Sequence, residues 1–445
     1  LWFEGMKVGQ GPLFSIRFLV ILAFPERSIT KGNMSHNLVV LLIFVVTYIF
    51  ISIQRLPWIR IDRPSGVMIG SALLVLAGVV DIRQAYSFID MDVILFLLGM
   101  MVMIAYLEFS GFFEAIAHWM IRHSRSTTQL LLLTIVSSGL LSALFVNDTV
   151  CLLITPVIIR ATRILKMNPL PYLLAVATAS NIGSALTITG NPQNMYIGIH
   201  AQLNYLYFIG VMAVPVVLGL LLNYEIIRLI FRHEINNHLL ADLRHEPASL
   251  NRPLLAKTLL ALFITVLLFS VGYGYPRSAF IGMAFIFIVG SVQPRTILRK
   301  MNWTILLFFA GLFVVMGAFK EAGYMSAIVT ISERYFAQNG LLDLAGLSFI
   351  TVLLSNLVSN VPAVILMQPI IENLGNTSQL WILLAMASTF AGNMTLLGSV
   401  ANLIVAEEAQ SRNISLTFMD YLKVGLPLTF LTVVLGTLWL GLFLS

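Results

Sequence analysis

The chain has 445 residues, of which 58% are hydrophobic and 10% charged, and its mean hydropathy is +0.92. Ordinary soluble domains carry roughly 25% charged residues, so a soluble domain is excluded and a polytopic membrane protein is indicated. The net charge of +6 comes from Lys and Arg clustered briefly between apolar runs, which is the pattern of cytoplasmic loops and not of a nucleic-acid surface.

Met34 makes a natural start before the first full-length apolar run, so residues 1–33 read as a leader, tag scar or short N-terminal segment. Apolar runs then recur to the C-terminus, but a full crossing needs about 20 residues, so not every run crosses separately. The runs 128–146 and 150–164 meet at the polar tip Phe145-Val-Asn-Asp-Thr149, and both outer ends are basic. A re-entrant hairpin that enters and leaves on one face satisfies both facts; two ordinary spans with a short loop are the alternative.

The next run breaks at Thr187-Ile-Thr-Gly-Asn-Pro-Gln-Asn194. Backbone in hydrocarbon must satisfy its own hydrogen bonds, so such a break is tolerable only inside protein or beside a wet cavity. A second break lies at 388–402. At an offset of 208, Ser180, Thr187, Gly190 and Asn194 fall on Ser388, Thr395, Gly398 and Asn402. At an offset of 213, Ser142, Asn147 and Pro156 fall on Ser355, Asn360 and Pro369. At 212, Gly70, Gly99 and Gly111 fall on Gly282, Gly311 and Gly323.

One long unit is therefore duplicated. The expected fold is an all-α polytopic membrane protein of two inverted repeats, 34–231 and 254–445, joined by a cytoplasmic linker at 232–253. Each repeat has five crossings, a re-entrant hairpin and a broken helix; because five is odd, the repeats lie in opposite orientations. The positive-inside pattern places Arg55, Arg60, Arg63, the flanks of the first hairpin, Arg295, Arg299 and Lys300 inside, and Met34 and Ser445 outside.

Four polar tips then converge on one solute and ion site. They supply Asn147, Asp148 and Thr149 from the first hairpin; Thr187, Thr189, Gly190, Asn191 and Asn194 from the first break; Ser359 and Asn360 from the second hairpin; and Thr395, Gly398, Ser399 and Asn402 from the second break. Asn181, in the same polar stretch as the first break, joins them. Half-helix ends and amide side chains can replace a solute's hydration shell. Asp148 is the sharpest residue, because an acid at membrane depth is costly and burial favours its neutral form, which suits a proton carrier. Its counterpart in the second repeat is Val361. Glu225 and Arg228 read as an interfacial ion pair, and Glu108, Lys320, Glu321, Glu407 and Glu408 as charges at helix ends. No cofactor or metal site is expected: Cys151 is the single cysteine, the seven histidines lack ligand spacing, and no hydrolase or phosphate-binding motif appears.

At these tips the sequence resembles the ion transporter superfamily, which includes the arsenite permeases, related Na⁺/H⁺ antiporters and divalent anion/Na⁺ symporters. The resemblance covers residues 37–444 and rests on Phe145-Val-Asn-Asp-Thr149, Thr187–Asn194, Leu357-Val-Ser-Asn-Val-Pro362 and Leu396–Asn402. It implies that the tips bind substrate and coupling ion, that this domain moves like an elevator past a scaffold, and, in some branches, a homodimer. The Asn147-Asp148 tip is like that of arsenite permeases, where the symporters carry Ser-Asn-Thr.

None of the four tips holds Lys or Arg, which disfavours multivalent anions and suits a neutral hydroxylated solute such as arsenous or antimonous acid. Cys151 lies on one helix face with Asp148 and could offer arsenic a thiol, although a buried cysteine ordinarily serves packing. The expectation is a proton-coupled arsenite/antimonite efflux carrier of a bacterial inner membrane, with small solute, H⁺ or Na⁺ and membrane lipid as partners and no nucleic acid. A Na⁺/H⁺ antiporter, a Na⁺-coupled anion carrier or an ion channel are the alternatives.

Overall fold

A computed structural model describes residues 34–52, 62–235, 250–336 and 340–443. The expected leader, most of the expected linker and Ser445 fall outside the described residues. Within them all regular structure is helical. The chain forms α1 (Met34–Ser52), α2 (Arg63–Leu76), a short α3 (Ile82–Phe88), α4 (Met91–Phe109), α5 (Phe112–His123), α6 (Thr127–Leu144), α7 (Asn147–Ile164), α8 (Leu170–Ser184), α9 (Pro192–His200) and α10 (Tyr205–Ile230). The same order then recurs: α11 (Arg252–Ser270), α12 (Tyr275–Val289), a short α13 (Pro294–Lys300), α14 (Trp303–Glu321), α15 (Tyr324–Tyr335), α16 (Leu341–Val358), α17 (Asn360–Asn373), α18 (Ser378–Ala391), a 3₁₀ turn (Leu396–Gly398), α19 (Val400–Gln410) and α20 (Phe418–Phe443).

Local chemistry sets many of these boundaries. Asp81, Asp90, Ser126, Asn191, Asn204 and Thr377 each turn a side-chain oxygen onto a free backbone amide at the start of the helix that follows. Gly111 and Gly323, at matched positions, start α5 and α15 with φ of 78° and 83°, a left-handed conformation open to glycine at little cost. Seven of the described helices are long and apolar enough to cross a membrane, and two of these are α6 and α16. The hairpins are tight: only Phe145 and Val146 separate α6 from α7, and only Ser359 separates α16 from α17.

The helices sort into two bundles by their main contacts. One joins α1, α2, α4, α11, α12 and α14; the other joins both hairpins, both broken segments, α10 and α20. In the first bundle the repeats exchange partners. A Cβ built on Gly99 in α4 would fall 2.9 Å from the Ala279 side chain in α12, and one on Gly311 in α14 would fall 3.0 Å from that of Val67 in α2. Residues 67 and 279 are themselves repeat mates, so each repeat lends its second helix to the other's third. Such close approach of small residues is how helices associate in lipid, where no hydrophobic force drives them together.

Contacts also define two ends of the molecule. At one end Asn168 donates to Glu234 at 2.7 Å, Lys300 lies 3.4 Å from Glu108, and Arg163 donates to the Arg412 carbonyl at 3.1 Å. At the other, His200 pairs with Asp90 at 2.9 Å and Tyr324 donates to the Asn37 carbonyl at 3.0 Å. The expected Glu225–Arg228 pair forms at 3.7 Å, and both side chains are about half exposed.

Candidate functional site

The four tips meet. Asn181, fully buried in α8, is the hub: its Oδ1 accepts from Asn147 Nδ2 and Ser399 Oγ, both at 3.0 Å, and its Nδ2 donates to Asn393 and Asn402, both at 2.9 Å. An amide has two donors and two acceptor positions, so this one is saturated. It joins the first hairpin tip to both sides of the second break. Asn147 is also held through its backbone, whose amide donates to the Gly190 carbonyl at 3.1 Å and whose carbonyl accepts from Ser180 at 3.2 Å.

Both breaks are stabilised in one way. Asn194 Nδ2 donates to the carbonyls of Ser184 and Thr187 at 3.3 and 3.0 Å; Asn402 Nδ2 donates to those of Gly392 and Thr395 at 2.7 and 3.1 Å. These acceptors are themselves 208 positions apart, so the repeat seen in sequence is repeated bond for bond. The two amides satisfy carbonyls that the interrupted helices leave free. Gly190 is required by space, since a Cβ there would sit 2.2 Å from the Ser184 carbonyl oxygen.

A cavity of about 420 Å³ opens where the bundles face each other. Of the residues expected at the site, Asn147, Asp148, Ser359, Asn360 and Ser399 line it. Asp148 also lines a smaller neighbouring cavity, with Thr149, Glu108 and Lys300. The others stand behind this wall. Asn191 and Asn194 bond to Thr389, and Thr187 bonds to Thr189 and the Ala143 carbonyl. Thr189 is also 3.1–3.3 Å from hydroxyls of Thr187 and Tyr205, and Thr395 donates to Asn356 at 3.0 Å. A Cβ built on Gly398 would fall 2.9 Å from Asn356 Oδ1. Cys151 is fully buried, lines neither cavity, and directs its Sγ toward the Val176 carbonyl.

Sequence reasoning missed four contributors. Asn393, Thr389 and Gln193 complete the amide network, and Gln193 reaches the cavity. All three are polar residues inside or beside the breaks, so the signal was present. The fourth, Arg63, reads in sequence as a residue of a basic loop. The tips themselves carry no base, but the first residue of α2 brings its guanidinium to them: Nη1 donates to Ser359 Oγ at 3.4 Å and Nη2 to the Leu397 carbonyl at 3.0 Å. It lines the same cavity as Asp148. The site is therefore not devoid of positive charge, and nothing local to residue 63 announced it.

The chain resembles proteins over nearly its whole length. A 46 kDa membrane protein of Mycobacterium leprae is 28% identical across 91% of this chain and 98% of its own. The silicon efflux transporter LSI3 of Oryza sativa subsp. japonica is 28% identical across 89% of this chain and 96% of its own. A putative transporter named arsB of Dictyostelium discoideum is 26% identical, covering 89% and 90%. Residues 48–380 match the citrate transporter family, and the chain, a membrane transporter within the wider ion transporter superfamily, belongs to it.

Proposed function

We propose that the chain is a proton-coupled carrier that exports a small hydroxylated metalloid oxyacid, arsenous or antimonous acid, in exchange for H⁺. The observation that carries this reading is Asp148 on the wall of a cavity to which the tips contribute Asn147, Ser359, Asn360 and Ser399. Amides and hydroxyls supply donors and acceptors together, which is what an uncharged oxyacid needs. The carboxylate supplies a group that can exchange a proton with the solution. Silicic acid has the same character, and one relative is named for silicon efflux.

The bundle that carries the tips is the transport domain of an elevator, and the other bundle is its scaffold. The two inverted repeats run 34–231 and 254–445. The end of the molecule with Arg122, Arg125, Arg160, Arg163 and Lys166 is cytoplasmic by the positive-inside rule, in a bacterial inner membrane. A dimer follows from the superfamily in some of its branches.

A second reading, a carboxylate carrier, is favoured by Arg63 and by the family description. Proteoliposomes under an imposed pH gradient separate the two. Saturable arsenite or silicic acid flux that moves protons supports the oxyacid reading, whereas flux of citrate or Na⁺ alone overturns it.

A further inference from the structure

Arg63 comes from a helix outside the tip-bearing bundle, since α2 packs on α14 and α1. Among the described residues it is the single base lining the cavity, against the acids Asp62, Asp148 and Glu407. A guanidinium has five N–H donors in a planar fork suited to oxygen pairs. Here Nε is buried with no protein partner, and the Nη1–Ser359 contact, at 3.4 Å, is near the limit of a hydrogen bond. Ser359 accepts this contact at φ 78° and ψ 159°, a region costly for any residue but glycine, so its surroundings hold the tip in place. The neighbouring Asn360 Oδ1 is likewise buried without a protein partner. The second hairpin is thus anchored in its own bundle at Asn356, and at the tip itself Ser359 takes a weak bond from the other bundle, while the first tip is bonded directly within its own.

We infer that Arg63 is a solute-recognising residue that exchanges partners: an acceptor oxygen of the solute takes the guanidinium from the Ser359 hydroxyl, so that both bundles hold the solute together. The inference deepens the oxyacid reading and rests on it for the solute's identity. The Nη2 bond to the Leu397 carbonyl, at 3.0 Å, keeps the guanidinium beside the tip during the exchange. The Ser359 contact is long, so an oxyacid hydroxyl at ordinary hydrogen-bond distance is the better acceptor, and an ionised carboxylate oxygen a stronger one still. Asp148 lines the same cavity and supplies the opposite charge.

The test is initial-rate transport of arsenite, silicic acid and citrate by reconstituted wild-type, Arg63→Gln, Arg63→Lys and Ser359→Ala proteins. Arg63→Gln is expected to raise KM for the carried solute about tenfold or more at a maximal rate within about twofold of wild type, and Arg63→Lys to recover part of the loss. Ser359→Ala removes the competing acceptor, so its KM should fall about two- to threefold. An unchanged KM in Arg63→Gln, or a KM in Ser359→Ala that is unchanged or raised, overturns the inference. Where Arg63→Gln fails to fold, Ser359→Ala decides alone. Should wild type carry citrate and neither oxyacid, the oxyacid reading fails, and the same KM shifts for citrate would leave the role of Arg63 standing.

Discussion

The two hairpin tips occupy matched positions of the repeat and are secured in different ways. Asn147 bonds to Asn181 and Gly190 in its own bundle, and the next residue is the acid Asp148. Asn360 leaves its Oδ1 without a protein partner, the next residue is Val361, and its neighbour Ser359 is reached by Arg63 from the other bundle. The scaffolding of the repeats is symmetric, as the Asn194 and Asn402 bonds attest; the chemistry at the tips is not. A duplicated frame supplies two openings, and unequal substitution at the tips gives one an acid while the other meets a residue of the opposing bundle.

The largest expected effect comes from erasing the asymmetry. Asp148→Asn should reduce proton-driven counterflow in proteoliposomes on the order of a hundredfold. Adding Val361→Asp should not restore it, because the second tip has a different set of partners. Recovery by the double variant would mean that the two tips are interchangeable.

Removing the hub should cost stability more than removing either tip amide. Asn181→Ala breaks four buried hydrogen bonds and strands their partners, at about 3 kcal/mol by thermal or denaturant unfolding in detergent. Asn147→Ala should cost about 1–2 kcal/mol, and Asn360→Ala under about 0.5 kcal/mol, since Asn360 has an acceptor with no protein partner to lose. Equal costs at the two tips would contradict the difference in how they are held.

In the bundle of α1, α2, α4, α11, α12 and α14, where the repeats do match, Gly99→Val and Gly311→Val should each cost about 2 kcal/mol by overpacking. Similar losses in unfolding midpoint would confirm that the exchanged helices α4 and α14 are equivalent. A large inequality would place the asymmetry in this bundle as well.

The smallest effect concerns the clasp between bundles at the end opposite the linker. Burial alone would raise the Asp90 carboxyl, but hydrogen bonds from His200 and the Val93 amide outweigh it and hold it below the ordinary carboxylate range. A depressed folded-state value stabilises the protein above the unfolded value, about 3.9, and that contribution fades as pH falls through the folded one. Asp90→Asn should therefore cost about 1 kcal/mol near neutral pH, and the gap from wild type should narrow below about pH 4 and close once the pH is under the folded-state value. A gap that persists there would mean that the carboxylate's charge is not what holds the clasp.

Much of this molecule was written locally. Runs of apolar residues, the Gly-Asn-Pro interruption and the short polar tips name helices, breaks and hairpins because an unsatisfied backbone in hydrocarbon is too costly to be placed by accident. The offset of 208 even named the amides that secure the breaks, since Asn194 and Asn402 bond to carbonyls within ten residues of themselves. What sequence could not decide is which distant groups face each other. Asn181 meets Asn393 and Asn402 across 212 and 221 positions, and Arg63 meets Ser359 and Leu397 across 296 and 334. A base at the start of a helix looks like any loop base until packing of α2 on α14 carries it to the tips. Hydrophobic pattern and backbone satisfaction are local and leave a mark on the sequence, whereas the meeting of charges and amides depends on how whole helices pack, and only the tertiary structure settles it.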